Sequence, residues 1–244
     1  MMKKWGICLL AAGLFLGACK NDDDNNEISQ EDQNQVDDEA IVMYLQDHYF
    51  EPERGLIKKY DEDDESDDEY PNLHSMGTKL NSGVWIIKRP GIIAEGPAAD
   101  NNTQDSILIS LHSQSFVATN EDLAEGQKPY QVGLSTFEST INGNGTAKWD
   151  PNFYYARITP DMEENDIDLS NFVIEGFTEG LKEFKSTQTS GSDLYNFQGA
   201  IIVPSRAAFA RDFVYTNAGM DNRSFRNRSF IFNFELHKVI PRNN

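Results

Sequence analysis

The sequence predicts an α+β domain, an antiparallel sheet with one short helix packed across it. Three observations carry this. From residue 83 onward, short apolar runs alternate with turn residues: VWII at 84–87, ILISL at 107–111 and AIIV at 200–203. The last run, FIFNFELHKV at 230–239, puts Phe230, Phe232, Phe234 and Leu236 on one side and Ile231, Asn233, Glu235 and His237 on the other. That is the period of a half-buried strand. Between these runs, FVIEGFTEGLKEF at 172–184 switches to helical spacing, with Phe177, Leu181 and Phe184 at i, i+4 and i+7. Glu175 and Glu179 near its start and Lys182 and Lys185 near its end suit the helix dipole. A helix this short is not stable alone, so it must be pressed onto the sheet.

Composition bounds the function. The chain has 244 residues and a net charge of −19. Residues 21–40 carry nine acids and no base, and residues 61–69 carry eight acids. Without those 17 acids and Lys3, Lys4 and Lys20, 23 acids face 18 bases, so the folded part is only mildly acidic. Acidic runs are solvated, and they argue against nucleic acid as a partner, because phosphate binding needs clustered Lys and Arg. Both cysteines, Cys8 and Cys19, lie in the first 19 residues. The body beyond them therefore has no disulfide, zinc thiolate or catalytic thiol.

In chain order, Lys3 and Lys4 form a positive n-region, residues 7–16 an apolar h-region, and Leu16-Gly17-Ala18-Cys19 closes it. The pattern resembles a bacterial lipoprotein signal. The resemblance implies cleavage after residue 18 and lipid on Cys19, which would anchor the chain stably. Residues 19–39 read as an acidic disordered tether. Its start, Lys20-Asn21-Asp22-Asp23-Asp24, is similar to the acidic export signal of some Gram-negative surface lipoproteins, although a plain acidic linker fits equally. The expected location is the outer membrane, facing the periplasm or the cell surface.

Residues 40–82 read as an N-terminal helical extension. It comprises a helix over 40–50, with Ile41, Tyr44, Leu45 and His48 at helical spacing, and an acidic loop over 61–69. His48 reads as a surface or packing histidine. The loop lacks the glycine and terminal glutamate of a calcium-binding helix–loop–helix and reads as solvated. The sheet-forming domain then spans 83–241. Strands are expected over 84–87, 107–111 with 116–118 continuing it, 135–141 before the Asn142-Gly143-Asn144-Gly145 turn, 153–158, 200–205 and 230–239.

Three segments in order resemble FKBP-type peptidyl-prolyl isomerases. Residues 171–181, NFVIEGFTEGL, look like the family's V-I-x-G-W-x-x-G-L block. Residues 202–209, IVPSRAAF, are similar to I-P-x-x-L-A-Y. Residues 229–236, SFIFNFEL, are similar to L-x-F-x-V-E-L, with a fainter echo of D-x-V-x-V-x-Y at 105–111. The resemblance implies an antiparallel half-barrel wrapped on one short helix. It also implies an apolar cup that takes in a proline ring and desolvates the preceding carbonyl, speeding a rotation that is intrinsically slow. Such chemistry needs no nucleophile, metal or cofactor. In keeping with it, the sequence holds no H-E-x-x-H, G-x-S-x-G, P-loop or G-x-G-x-x-G.

Carried over residue by residue, the resemblance makes Phe177 the cup floor, Val173 and Ile174 a wall, and the Ile174 N–H a substrate donor. Phe232 becomes a side wall and Phe209 the lip. Phe137 and Glu138 would be wall and acidic rim, and Leu111 stands for the family's strand tyrosine. Phe177 replaces a tryptophan and Phe209 a tyrosine, which removes a hydroxyl worth about 0.5–1.5 kcal/mol. The expected partner is a proline-containing polypeptide, bound by a monomer. Two alternatives stand beside the enzyme. One is an FKBP-like domain without activity, serving as a binding module of an envelope or surface assembly. The other is a surface lipoprotein that binds glycan or nutrient through exposed aromatics such as Trp149 and Tyr154.

Overall fold

The computed structural model describes residues 28–143, 145–191, 194–216 and 219–243. The expected signal segment, Cys19 and the first part of the tether lie outside them. α1 (Gln30–Asp47) opens the described chain, with the Ser29 hydroxyl accepting from the Asp32 N–H at 3.0 Å. The second half of the expected tether is therefore helix, and specific polar burial explains why. Gln33 Nε2 donates to the Ala118 carbonyl at 3.0 Å, and the Asp37 carboxylate accepts from the Ser205 N–H at 3.0 Å. Both side chains are buried, and burial raises the Asp37 pKa above the usual carboxylate range.

A small hairpin follows, β1 (His48–Phe50) with β2 (Ile57–Lys59), then the single turn α2 (Leu73–Met76). His48 proves to be a packing residue. Its ring stacks on Tyr44 at 3.8 Å, and its Nδ1 lies 2.7 Å from the Tyr44 carbonyl. The main sheet uses β3 (Gly77–Lys79), β4 (Trp85–Lys88), β5 (Asp105–Val117), β6 (Ser135–Ser139) and β7 (Lys148–Trp149). Two short helices, α3 (Pro160–Glu163) and α4 (Glu175–Leu181), precede β8 (Gly199–Val203). A hairpin of β9 (Val214–Thr216) and β10 (Gly219–Asp221) leads into β11 (Arg228–Pro241). The sheet order is β3-β4-β8-β11-β5-β6, with β7 also pairing β5, and every one of these pairings is antiparallel. The sheet thus begins at Gly77, inside the expected N-terminal extension. Residues 153–158 form no strand; the chain turns at 152–154.

β5 and β11, of 13 and 14 residues, form the central pair, and both faces of the sheet are covered. On one face Ile86, Ile109, Leu111, Ile201, Phe232 and Phe234 pack under α4. On the other, Trp85, Ile87, Phe116, Ile202 and Ile231 meet Ala40, Ile41, Tyr44 and Leu45 of α1. Further along that second face lie Asn233, Glu235 and His237. They are buried too, so the expectation of a half-exposed last strand is overturned. Asn233 accepts from the Ile57 N–H and donates to the Gly55 and Gly199 carbonyls. Segments far away in sequence cover the polar row by bonding to it. A register shift at His237 returns Val239 to the first core.

The long connection between β5 and β6 is tied down by Lys128 and Tyr130. Both donate to the Asp47 carboxylate at the end of α1, the tyrosine at 2.7 Å.

Candidate functional site

α4 lies unusually close to the sheet because two of its residues have no side chain. A Cβ on Gly176 would stand 2.5 Å from Val203 Cγ1 and 2.8 Å from the Ala207 carbonyl oxygen. On Gly180 it would meet Ile201 Cγ2 at 2.7 Å. The approach lowers Phe177 into the sheet. Its ring centre is 4.6 Å from that of Phe232 and 6.1 Å from that of Phe234.

The expected site residues largely converge. Ile174, Phe177, Phe209, Phe232 and Leu111 belong to one core cluster, and Phe137 packs against it. Phe209 is buried against Phe225 and Phe230, at 5.7 and 6.3 Å. Two residues stand apart. Val173 lines a shallow surface hollow with Leu169, Thr178 and Lys182. Glu138, expected at an acidic rim, instead pairs with Lys148 at 2.5 Å.

What the convergence does not leave is a cup. Phe177 and Phe232 are 0% exposed. The space over them is filled by Phe153, whose ring centre lies 5.1 Å from Phe177, edge-on, and 5.0 Å from Phe232. Phe137 closes the other side, 5.8 Å from Phe153 and 5.0 Å from Phe230. The backbone completes the closure, since the Ile174 N–H, the expected substrate donor, donates to the Phe153 carbonyl at 2.8 Å. One residue therefore occupies both the apolar volume and the hydrogen bond that the family resemblance assigns to a substrate. Sequence reasoning missed Phe153, placing it at the start of a strand. The only available signal was its place in the dense run Phe153-Tyr154-Tyr155 just after Pro151. Tyr154, named as an exposed glycan-binding aromatic, is fully buried, with its hydroxyl 3.2 Å from the Asp105 carbonyl.

An open cleft of about 690 Å³ lies on the opposite face of the sheet, lined in part by Arg54, Leu108, Ser110, Trp149, Leu194 and Tyr195. Trp149 is 47% exposed and Leu194 74%, and the Arg54 guanidinium sits over the Tyr195 ring at 5.6 Å. Below this cleft runs a buried polar chain. Ser110 Oγ lies 2.8 Å from His237 Nε2, and His237 Nδ1 lies 3.4 Å from the Glu235 carboxylate. The connectivity is that of a serine–histidine–acid relay, but its members are committed elsewhere. His237 Nδ1 has a closer partner in the Thr189 hydroxyl. The Glu235 carboxylate accepts from Thr187, Thr189 and the Asn196 N–H at 3.0, 3.0 and 2.8 Å. Burial would raise the pKa of Glu235, but these bonds and the one with His237 outweigh it and hold the group below the usual carboxylate range. The network fastens the chain leading into β8 onto the sheet.

Among the described residues, no group of three or more His, Cys, Asp or Glu side chains is placed to hold a metal ion. In the acidic loop the carboxylates cap their own turns: Asp67 accepts from the Asp61 N–H, and Asp64 from the N–H and hydroxyl of Ser66. Among the described residues, no helix is long and apolar enough to cross a membrane.

No protein-family model matches the chain, and no curated protein matches it. Among solved structures it is similar to FkpA from Escherichia coli, with a TM-score of 0.32 and 16% identity over 68% of this chain and 52% of that one. It is also similar to a peptidyl-prolyl cis-trans isomerase from Pseudomonas syringae pv. tomato, with a TM-score of 0.40 and 10% identity over 88% of this chain and 98% of that one. The chain spans about half the length of FkpA. Likeness this loose says nothing about the residues of a site. The large antiparallel sheet with few helices is compatible with an FKBP-like α+β fold.

Proposed function

We propose that this chain is a lipid-anchored, FKBP-like domain whose proline cup is filled from within, acting as a non-catalytic protein-binding module of an envelope or surface assembly. The FKBP-like assignment is supported by the three ordered sequence blocks and by the gathering of Ile174, Phe177, Phe209 and Phe232 into one cluster beneath α4. One observation carries the loss of catalysis, the seating of Phe153 on Phe177 and Phe232 with its carbonyl on the Ile174 N–H. Isomerisation by this route needs the proline ring in a dry apolar pocket with the preceding carbonyl desolvated. A substrate would have to displace a buried phenylalanine and break a backbone hydrogen bond before any catalytic gain began.

Binding then falls to the outer surface. The open cleft with Trp149, Tyr195, Leu194 and Arg54 combines apolar area with one cation, as suits a polypeptide segment. The domain works as a monomer held to the outer membrane through lipid on Cys19, on the periplasmic or the outer side. Lipid attachment is checked by radiolabelled palmitate incorporation, which Cys19→Ser abolishes.

The deciding experiment is cis–trans exchange of X–Pro peptides, followed by NMR with residues 20–244. The expected result is the uncatalysed rate for every peptide. Acceleration that scales with protein concentration overturns the reading in favour of an isomerase whose Phe153 leaves the cup during turnover.

A further inference from the structure

The acidic loop between β2 and α2 hides one of its charges. Residues 61–69 hold eight acids and no base. All of these acids are exposed except Asp67, which is 5% exposed. The Asp67 side chain folds back across the loop, and its Oδ2 accepts from the Asp61 N–H at 2.9 Å. Its Oδ1 is fully buried and has no hydrogen-bond partner among the described residues. Among those residues, no Lys, Arg or His side chain forms an ion pair with Asp67 either.

A buried carboxylate oxygen without a partner is destabilising, and seven like charges on the same loop add to the cost. Buried charges persist where they are paired or bind a metal. The capping bonds of the loop do not supply the missing partner. They engage Asp61 Oδ1, Asp64 Oδ1 and Asp67 Oδ2, and they leave Asp67 Oδ1 aside. The carboxylate is held within the loop with one oxygen still unmatched.

We propose that the loop 61–69 binds a calcium ion, with Asp67 as its buried ligand. Calcium gathers about six to eight oxygens in flexible geometry, and it accepts main-chain carbonyls and water beside carboxylates. Such a shell suits a loop in which no three carboxylates converge on their own. Asp61 and Asp64 are exposed, and each keeps its Oδ2 outside the capping bonds. The loop's exposure lets it adjust around an ion without disturbing either core. Magnesium demands a near-octahedral shell and gives up water reluctantly, so it fits less well. The site owes nothing to the helix–loop–helix pattern that the sequence lacks; its signal is burial, not spacing. The inference is independent of the filled cup and survives if the chain proves to be an isomerase.

Neighbouring tyrosines provide the readout. The Tyr49 ring centre lies 4.9 Å from that of Tyr60 and 5.2 Å from that of Tyr70. Burial, and after it the charge of Asp67, raises the pKa of Tyr49 and of Tyr60, so both lie close to this carboxylate. Terbium takes the place of calcium in oxygen shells and emits when excited through a nearby tyrosine. Titrated into residues 20–244, which include every described residue, terbium should give tyrosine-sensitised emission. Calcium should displace it with a Kd of about 0.1–1 mM, the range of extracellular calcium modules, and magnesium about tenfold less well. Asp67→Asn keeps an oxygen for the Asp61 N–H and should weaken binding about tenfold or more. Asp68→Asn removes the same charge from an exposed position and should change affinity by less than about twofold. Calcium should shift the amide signals of residues 61–70 and leave those of β5 and β11 in place, which also shows that each variant is folded. Absence of sensitised emission overturns the proposal. So does an equal loss in Asp67→Asn and Asp68→Asn, which would reduce the binding to a diffuse ion atmosphere. Should Asp67→Asn not fold, the unsubstituted protein still decides. Calcium shifts confined to 61–70 support the site, and shifts spread equally over the acids of 31–39 overturn it.

Discussion

Replacing Phe153 by alanine separates a filled cup from an open one. The ring is 3% exposed and lies within 5.8 Å, centre to centre, of three other phenylalanines. Deleting a buried phenylalanine costs about 3–5 kcal/mol, through lost transfer energy and the cavity left behind. The Phe153 carbonyl is main chain, so the bond from Ile174 is retained and no hydrogen-bond loss is added. The substitution should therefore lower the unfolding free energy by about 3–5 kcal/mol. That is a large share of a typical 5–15 kcal/mol, yet compatible with a folded protein. Urea denaturation of residues 20–244, followed through the buried Trp85, measures this, with the slope against denaturant unchanged. If Phe153 spent its time in solvent and the cup stood open, the change would resemble a surface substitution, within about 0.5 kcal/mol. A loss below about 1 kcal/mol refutes the closed-cup argument. Should Phe153→Ala not fold, Phe153→Leu keeps most of the bulk and should cost less than about 1.5 kcal/mol.

Three further outcomes follow from the described contacts. Burial lowers the His48 pKa from its ordinary 6.5 to about 4, so its contribution is present above 6.5 and lost as pH falls toward 4. Stability should drop by about 3 kcal/mol across that window, and His48→Gln should flatten this part of the urea-midpoint profile. Gly176→Ala forces a methyl against Val203 and the Ala207 carbonyl, and should cost about 1–3 kcal/mol by thermal or urea unfolding, despite the gain in helix propensity. Glu235→Gln puts an amide donor among the hydroxyls and N–H groups that now donate to the carboxylate, at a cost of about 1–3 kcal/mol. Hydrogen exchange over 187–196 should quicken while β5 remains protected; equal exchange in both proteins would remove the anchoring role of Glu235.

What could be read from the sequence was whatever buries apolar groups at a regular period. The runs at 84–87, 107–111, 200–203 and 230–239 all became strands, and Phe177, Leu181 and Phe184 all turned inward. What escaped was burial achieved through hydrogen bonds. The N-terminal half of α1 looked like a solvated tether because the side chains it buries there include Gln33 and Asp37, whose partners Ala118 and Ser205 lie 85 and 168 positions away. Asn233, Glu235 and His237 looked like a wet face for the same reason. Period two distinguishes two sides of a strand but is blind to whether a distant loop will cover the polar one. The candidate site shows the same divide. Of the residues that gather beneath α4, Phe177 and Phe232 were legible from their spacing, and Ile174, Phe209 and Leu111 only from the family resemblance of their blocks. Phe153, which packs over Phe177 and Phe232, belongs to no repeat and arrives from a connection without regular structure.

The placement of β11 bears on how the chain acquires its structure. It is the last strand in sequence yet sits in the middle of the sheet, between β8 and β5, and contributes to both cores. Until residue 241 is available, the strands made earlier form two separate edges with nothing to join them. Neither α1 nor α4 then has a complete surface to rest on. Closing such distant pairings is slow, so folding waits for the whole polypeptide. The same order makes β11 indispensable, because its loss removes the seam of the sheet and not its margin.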